Sequence, residues 1–88
     1  MKSSNNKFDM KIQLFGISKD ITGQKELEIP KELPINTVLD LKKWVLERYP
    51  KMGNLSSFAI AVDLEYADDN LPLKNAGEVA LIPPVSGG

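Results

Sequence analysis

Across residues 37–49 the apolar side chains fall at helical spacing, and wherever else this chain has a pattern they alternate. Val38, Leu41, Val45 and Tyr49 follow the 3.6-residue period, with Trp44 beside them. The segment opens Thr37-Val38-Leu39-Asp40, which pairs a hydroxyl able to cap free N–H groups with a carboxylate near the positive end of the helix dipole. Pro50 and then Gly53-Asn54 stop it. A lone helix among alternating segments buries its stripe by lying across a sheet. That predicts an α+β domain.

The alternating runs supply the sheet. Met10, Ile12 and Leu14 point one way, and Lys11, Gln13 and Phe15 the other, as in a half-buried strand. Thr22-Gly23-Gln24 is a turn. Glu26-Leu27-Glu28-Ile29 alternates again and is closed by Pro30, so these two strands form a hairpin with a loop at its tip. Further on, Phe58, Ile60 and Val62 face inward, and Ala59 and Ala61 outward. A short strand at 65–67 precedes the turn Asp68-Asp69-Asn70, and Pro72-Leu73 and Asn75-Ala76-Gly77 make another turn. The last strand, 78–82, turns Val79 and Leu81 to the core and ends at Pro83-Pro84, because proline cannot donate to a ladder. The expected order is strand, strand, helix, strand, short strand, strand, in a mixed sheet. Residues 1–8 are polar and unpatterned and are expected to be a flexible leader, with one domain over 9–82 and an extended tail over 83–88. Trp44 and Tyr49 are assigned to packing.

Absences narrow the chemistry. There is no cysteine and no histidine in the 88 residues, so the usual thiolate nucleophile, zinc ligands and general base are all missing. No nucleophile–base pair is visible, and no active site of the chain's own is expected. A net charge of −1 leaves no basic excess for a nucleic-acid backbone. The longest apolar run, residues 58–62, is too short for a bilayer, and the N-terminal residues lack a signal-peptide core. A cytoplasmic protein is expected, with no membrane partner. Asp63, Glu65, Asp68, Asp69 and Glu78 cluster late in the chain, either as a patch that steers a basic partner or as solvated turns. Asp68-Asp69 opens like a calcium loop, but the further ligands are missing, so no metal site is expected.

The chain ends Pro83-Pro84-Val85-Ser86-Gly87-Gly88. Two prolines hold the exit from the last strand extended. Six extended residues reach roughly 20 Å. Two closing glycines present only backbone and a carboxylate, a shape that fits a narrow channel in another protein. The same ending also arises as a plain flexible tail. Strand parity adds a surface beside it. Phe15 and Ile82 lie opposite the core sets of their strands, so they either form an apolar partner interface or pack under the first loop and the diproline.

The ending Glu78-Val79-Ala80-Leu81-Ile82-Pro83-Pro84-Val85-Ser86-Gly87-Gly88 resembles that of the small, sulfur-carrying subunit of molybdopterin synthase, a ubiquitin-like family. Phe15-Gly16-x-x-Lys19-Asp20-x-x-Gly23 and Ile60-Ala61-Val62 before Glu65-Tyr66 support the likeness, which covers residues 10–88. It departs mildly at Gly16, Lys19, Asp20 and Asp63. The resemblance implies a β-grasp fold. It implies that an E1-like partner adenylates Gly88 with its own ATP and magnesium, that a sulfur donor converts the adenylate to a thiocarboxylate, and that the chain itself binds no cofactor. It further implies that Pro83, Pro84, Val85, Ser86 and Gly87 lie in the active site of the large synthase subunit, within a heterotetramer, where the sulfur passes to cyclic pyranopterin monophosphate. Three other readings use the same features: a carrier for thiamin synthesis or tRNA thiolation, a modifier joined through Gly88 to lysines, and a binding domain with an incidental glycine tail.

Overall fold

The computed structural model describes residues 8–30, 32–74 and 76–83. Strand β1 (Phe8–Leu14) pairs antiparallel with β2 (Glu26–Pro30). On its other side it pairs parallel with β5 (Val79–Ile82), matching Ile12 to Val79 and Leu14 to Leu81. Strand β5 runs antiparallel to β3 (Ala59–Val62), which closes a hairpin with the two-residue β4 (Glu65–Tyr66). The sheet order is β2-β1-β5-β3-β4. Parallel neighbours require a crossover, because both chains must enter the sheet from the same end. Helix α2 (Val38–Arg48) lies in that connection and packs on one face of the sheet. The expected mixed sheet with one main helix is the arrangement found.

The core follows from the two periods. Ile12 and Leu14 of β1, Leu27 and Ile29 of β2, Ile60 of β3, and Val79 and Leu81 of β5 are all buried. Against them the helix sets Val38, Leu41 and Val45, each with no solvent exposure. Phe58, Leu73 and Met52 close the ends. Trp44 and Tyr49 are half-buried against this cluster, with the Arg48 guanidinium 5.2 Å from the centre of the Trp44 ring.

The helix start is fully partnered, which matters because free N–H groups there are costly to bury. Thr37 Oγ1 accepts from Asp40 N at 3.3 Å, and Asp40 Oδ2 accepts from Thr37 N at 3.2 Å and Asn36 N at 3.0 Å. The next two donors go to the 69–71 loop: Val38 N to Leu71 O at 3.0 Å and Leu39 N to Asp69 O at 2.9 Å. Lys42 fastens the same loop through a 3.0 Å ion pair with Asp69.

Three local features differ from the sequence expectation. Strand β1 starts at Phe8, the last residue assigned to the leader, because Phe8 pairs with Pro30; residues 1–7 lie outside the described residues. The first connection is a short helix α1 (Ile17–Thr22), where a loop was expected. Six residues are too few for a helical period to register in sequence. A 3-10 turn at Pro50–Met52 follows α2, using the fixed φ of Pro50 at its first position and inserting Met52 into the core.

Candidate docking face at the tail exit

The sheet face away from α2 is divided by strand identity. Over β1 and β2 it carries Lys11, Gln13, Glu26 and Glu28, with Lys11 and Glu26 paired at 3.7 Å. Over β5, β3 and β4 it carries alanines and larger apolar groups. Ala61 lies opposite Ala80 on one side and Tyr66 on the other, and Ala59 lies opposite Ile82. The small alanines leave a hollow of about 290 Å³ lined by Phe15, Ala61, Leu64, Tyr66, Glu78, Ala80 and Ile82. Leu64 is 86% exposed, Tyr66 76% and Phe15 46%. Apolar side chains of this size, contiguous and open to water, make this half-face the candidate docking surface of the domain.

Two local devices shape the rim. At the end of β1 the chain turns at Gly16 with φ 55° and ψ −134°, a region that a side chain opposes. A Cβ placed on Gly16 would lie 3.4 Å from Pro83 Cγ, so the corner after Phe15 sits directly against the start of the tail. Ser18, the one buried polar side chain among the described residues, fixes this corner. Its hydroxyl accepts from Phe15 N at 3.0 Å and donates to Phe15 O. Phe15 is thereby presented on the open face.

The opposite rim is the β3–β4 turn. Asp63 and Leu64 have φ of 53° and 74°, the two positive values of a type I′ hairpin turn. Asp63 tolerates this conformation, and its carboxylate accepts from Glu78 N at 2.9 Å while its own N–H donates to Glu78 O at 2.7 Å. Gly77 must stay bare for that contact, since a Cβ there would come within 2.6 Å of Asp63 Oδ1. Leu64 gains no such bond, and a left-handed conformation costs an L-residue roughly 1–2 kcal/mol.

The structure therefore brings Phe15 and Ile82 to one hollow, with Pro83, half-buried, leading the chain away beside them. Pro84, Val85, Ser86, Gly87 and Gly88 lie outside the described residues. Leu64 and Tyr66 are rim residues that sequence reading did not assign. Tyr66 could have been placed by recognising Asp63-Leu64 as a two-residue hairpin, which sets Tyr66 opposite Ala61. Of the late acidic residues, Asp69 is engaged by Lys42 and Asp63 by the Glu78 backbone, while Glu78 lies on the hollow. Among the described residues no three His, Cys, Asp or Glu side chains are grouped to hold a metal ion, and no helix is long and apolar enough to cross a membrane.

A five-stranded mixed sheet on one main helix, with central parallel first and last strands and the exit of β5 beside an apolar half-face, is a ubiquitin-like β-grasp domain. The chain belongs to the ThiS family, whose model matches residues 12–88. It is 35% identical over 83 residues to the molybdopterin synthase sulfur carrier subunit of Caenorhabditis briggsae, covering 90% of this chain and 96% of that protein. With the protein of the same name from Dictyostelium discoideum it shares 33% identity over 81 residues, covering 89% and 94%. Among solved structures it is similar to SAMP1 from Haloferax volcanii, with a TM-score of 0.66 over 89% of this chain and 97% of that one. At 23% identity that likeness speaks for the fold alone.

Proposed function

We propose that this chain is the sulfur carrier subunit of molybdopterin synthase, acting in the cytoplasm, with the Gly88 carboxylate as its reactive group. A carboxylate is a poor acyl donor. An E1-like partner, using its own ATP and magnesium, makes the Gly88 adenylate with release of pyrophosphate. Sulfur at the sulfide level, supplied by a donor, then attacks the acyl carbon, displaces AMP and leaves a thiocarboxylate. The tail, from Pro83 to Gly88, enters the active site of the large synthase subunit, where the thiocarboxylate sulfur bonds to a carbon of cyclic pyranopterin monophosphate and displaces an oxygen substituent from it. A water oxygen restores the carboxylate, and two such cycles supply the two sulfurs of the dithiolene. All side-chain chemistry belongs to the partners, a division that suits a chain with no cysteine and no histidine.

The observation that carries this reading is a juxtaposition. The exit of β5 lies beside the apolar half-face of Phe15, Leu64, Tyr66 and Ile82, so a partner that encloses the tail also covers that face. The names of the relatives point to the same role. Deleting Gly88 tests it: the truncated protein is expected to keep its far-ultraviolet circular dichroism spectrum and melting temperature, yet fail to restore cofactor synthesis in cells lacking the carrier. Restoration by the truncated chain would defeat the proposal.

A further inference from the structure

Leu64 has no place in the economy of the isolated fold. A type I′ turn favours Asn or Asp followed by Gly, and Asp63 meets the first preference. Leucine at φ 74° opposes the second. Nothing in the core repays it, because the side chain is 86% exposed. An apolar group held out at the expense of the backbone points to a use outside the chain.

We propose that Leu64 is an anchor by which this chain recognises the partner that takes its tail, filling an apolar recess on that partner. The inference rests on the sulfur-carrier reading and goes further, by assigning recognition to one turn residue. Three observations locate the partner here. Residues 84–88 follow Pro83 directly and span at most about 18 Å, so whatever encloses Gly88 lies within that distance of the hollow. The hollow is bounded by Phe15 and Ile82 on the tail side and by Leu64 and Tyr66 on the other, so a body seated over the exit meets both rims. Glu78 is the one charged side chain on the lining and has no ion-pair partner among the described residues, so the partner is expected to carry a cation beside its apolar recess. A two-residue turn between paired strands is stiff. Leu64 is thus presented before binding, with little ordering left to lose on association.

The test uses the full chain, the large synthase subunit from the same organism, and three variants, Leu64→Gly, Leu64→Asn and Ile82→Asp. Melting temperature of the free chain and Kd by calorimetry are read for each. Leu64→Gly is expected to melt about 4 °C or more above the parent, since the turn conformation is relieved. Leu64→Asn, which also accepts positive φ, is expected to melt at or above the parent. Both are expected to bind the large subunit about 10-fold or more weakly, the loss of one buried leucine contact. Binding within twofold of the parent by both Leu64 variants, with Ile82→Asp inactive, would overturn the anchor while sparing the sulfur-carrier reading. A parallel fall in melting temperature and affinity would also overturn it, by making Leu64 structural. Unchanged binding by Ile82→Asp as well would show that the partner does not sit on this face and would overturn the anchor, whereas a parent chain that fails to bind the large subunit at all would remove the sulfur-carrier reading on which it rests.

Discussion

Replacing Ser18 with alanine removes one oxygen from a site with no solvent exposure, and the consequences are countable. The Phe15 carbonyl keeps a donor, because Ser18 N reaches it at 3.2 Å. The Phe15 N–H does not: its acceptor is Ser18 Oγ at 3.0 Å. One part-buried donor is therefore orphaned, and such a loss costs about 1–3 kcal/mol. Phe15 is itself half exposed, so water can partly replace the lost acceptor and the lower half of that range applies. For a domain of this size, 1 kcal/mol lowers the melting temperature by about 4–8 °C. Ser18→Ala is accordingly expected to melt about 4–15 °C below the parent, read by circular dichroism. Amide hydrogen exchange gives a residue-level check, since the Phe15 amide should lose protection while Ile12, at the centre of β1, loses only what the global destabilisation requires. An unchanged melting temperature together with a still-protected Phe15 amide would refute the assignment of Ser18 as the fastener of this corner.

The capping box at the start of α2 yields two further expectations. Hydrogen bonds from the backbone N–H groups of Asn36 and, next, Thr37 hold the Asp40 carboxyl below the usual carboxylate range. A folded-state pKa lowered in this way contributes stability that is present above the unfolded value, about 3.9, and is lost as the pH falls through the folded one. Urea unfolding between pH 2 and 6 should therefore show a weaker acid dependence in Asp40→Asn than in the parent, and parallel curves would contradict the assignment. Thr37→Ala removes the oxygen that accepts from Asp40 N and is expected to lower the unfolding free energy by about 1 kcal/mol, measured from the urea midpoint at unchanged slope.

The main helix was legible because two independent signals agree on it, a stripe of buried residues and a capping pair, and the helix found is bounded by Thr37 and Tyr49. The inward residues of β1, β2, β3 and β5 were legible for a similar reason: a period of two assigns every side chain once one is placed. Sequence reading was weaker where an element is too short to repeat. Helix α1 has six residues and is set by local devices, Ser18 bonded back to Phe15 and Gly16 and Gly23 at its ends. Strand β4 has two, so the direction of Tyr66 depends on its register with Ala61, which only the hairpin fixes. Leu64 was missed because a leucine is not a turn residue by composition, although its backbone conformation makes it one. Parity alone set Phe15 and Ile82 on the face away from the core, and the hollow they line there depends on Ala61 and Ala80 being small.

The proposed carrier role requires one chemical event, the exchange of an oxygen of the Gly88 carboxylate for sulfur. Intact mass spectrometry after incubation with the E1-like enzyme, ATP, magnesium and a sulfur source measures it directly. The full chain is predicted to gain the mass difference of one oxygen replaced by sulfur, with fragment ions placing the change on Gly88, and the chain lacking Gly88 to gain nothing. A full chain that stays at its original mass while the same enzyme consumes ATP with it, releasing pyrophosphate, would contradict the proposal.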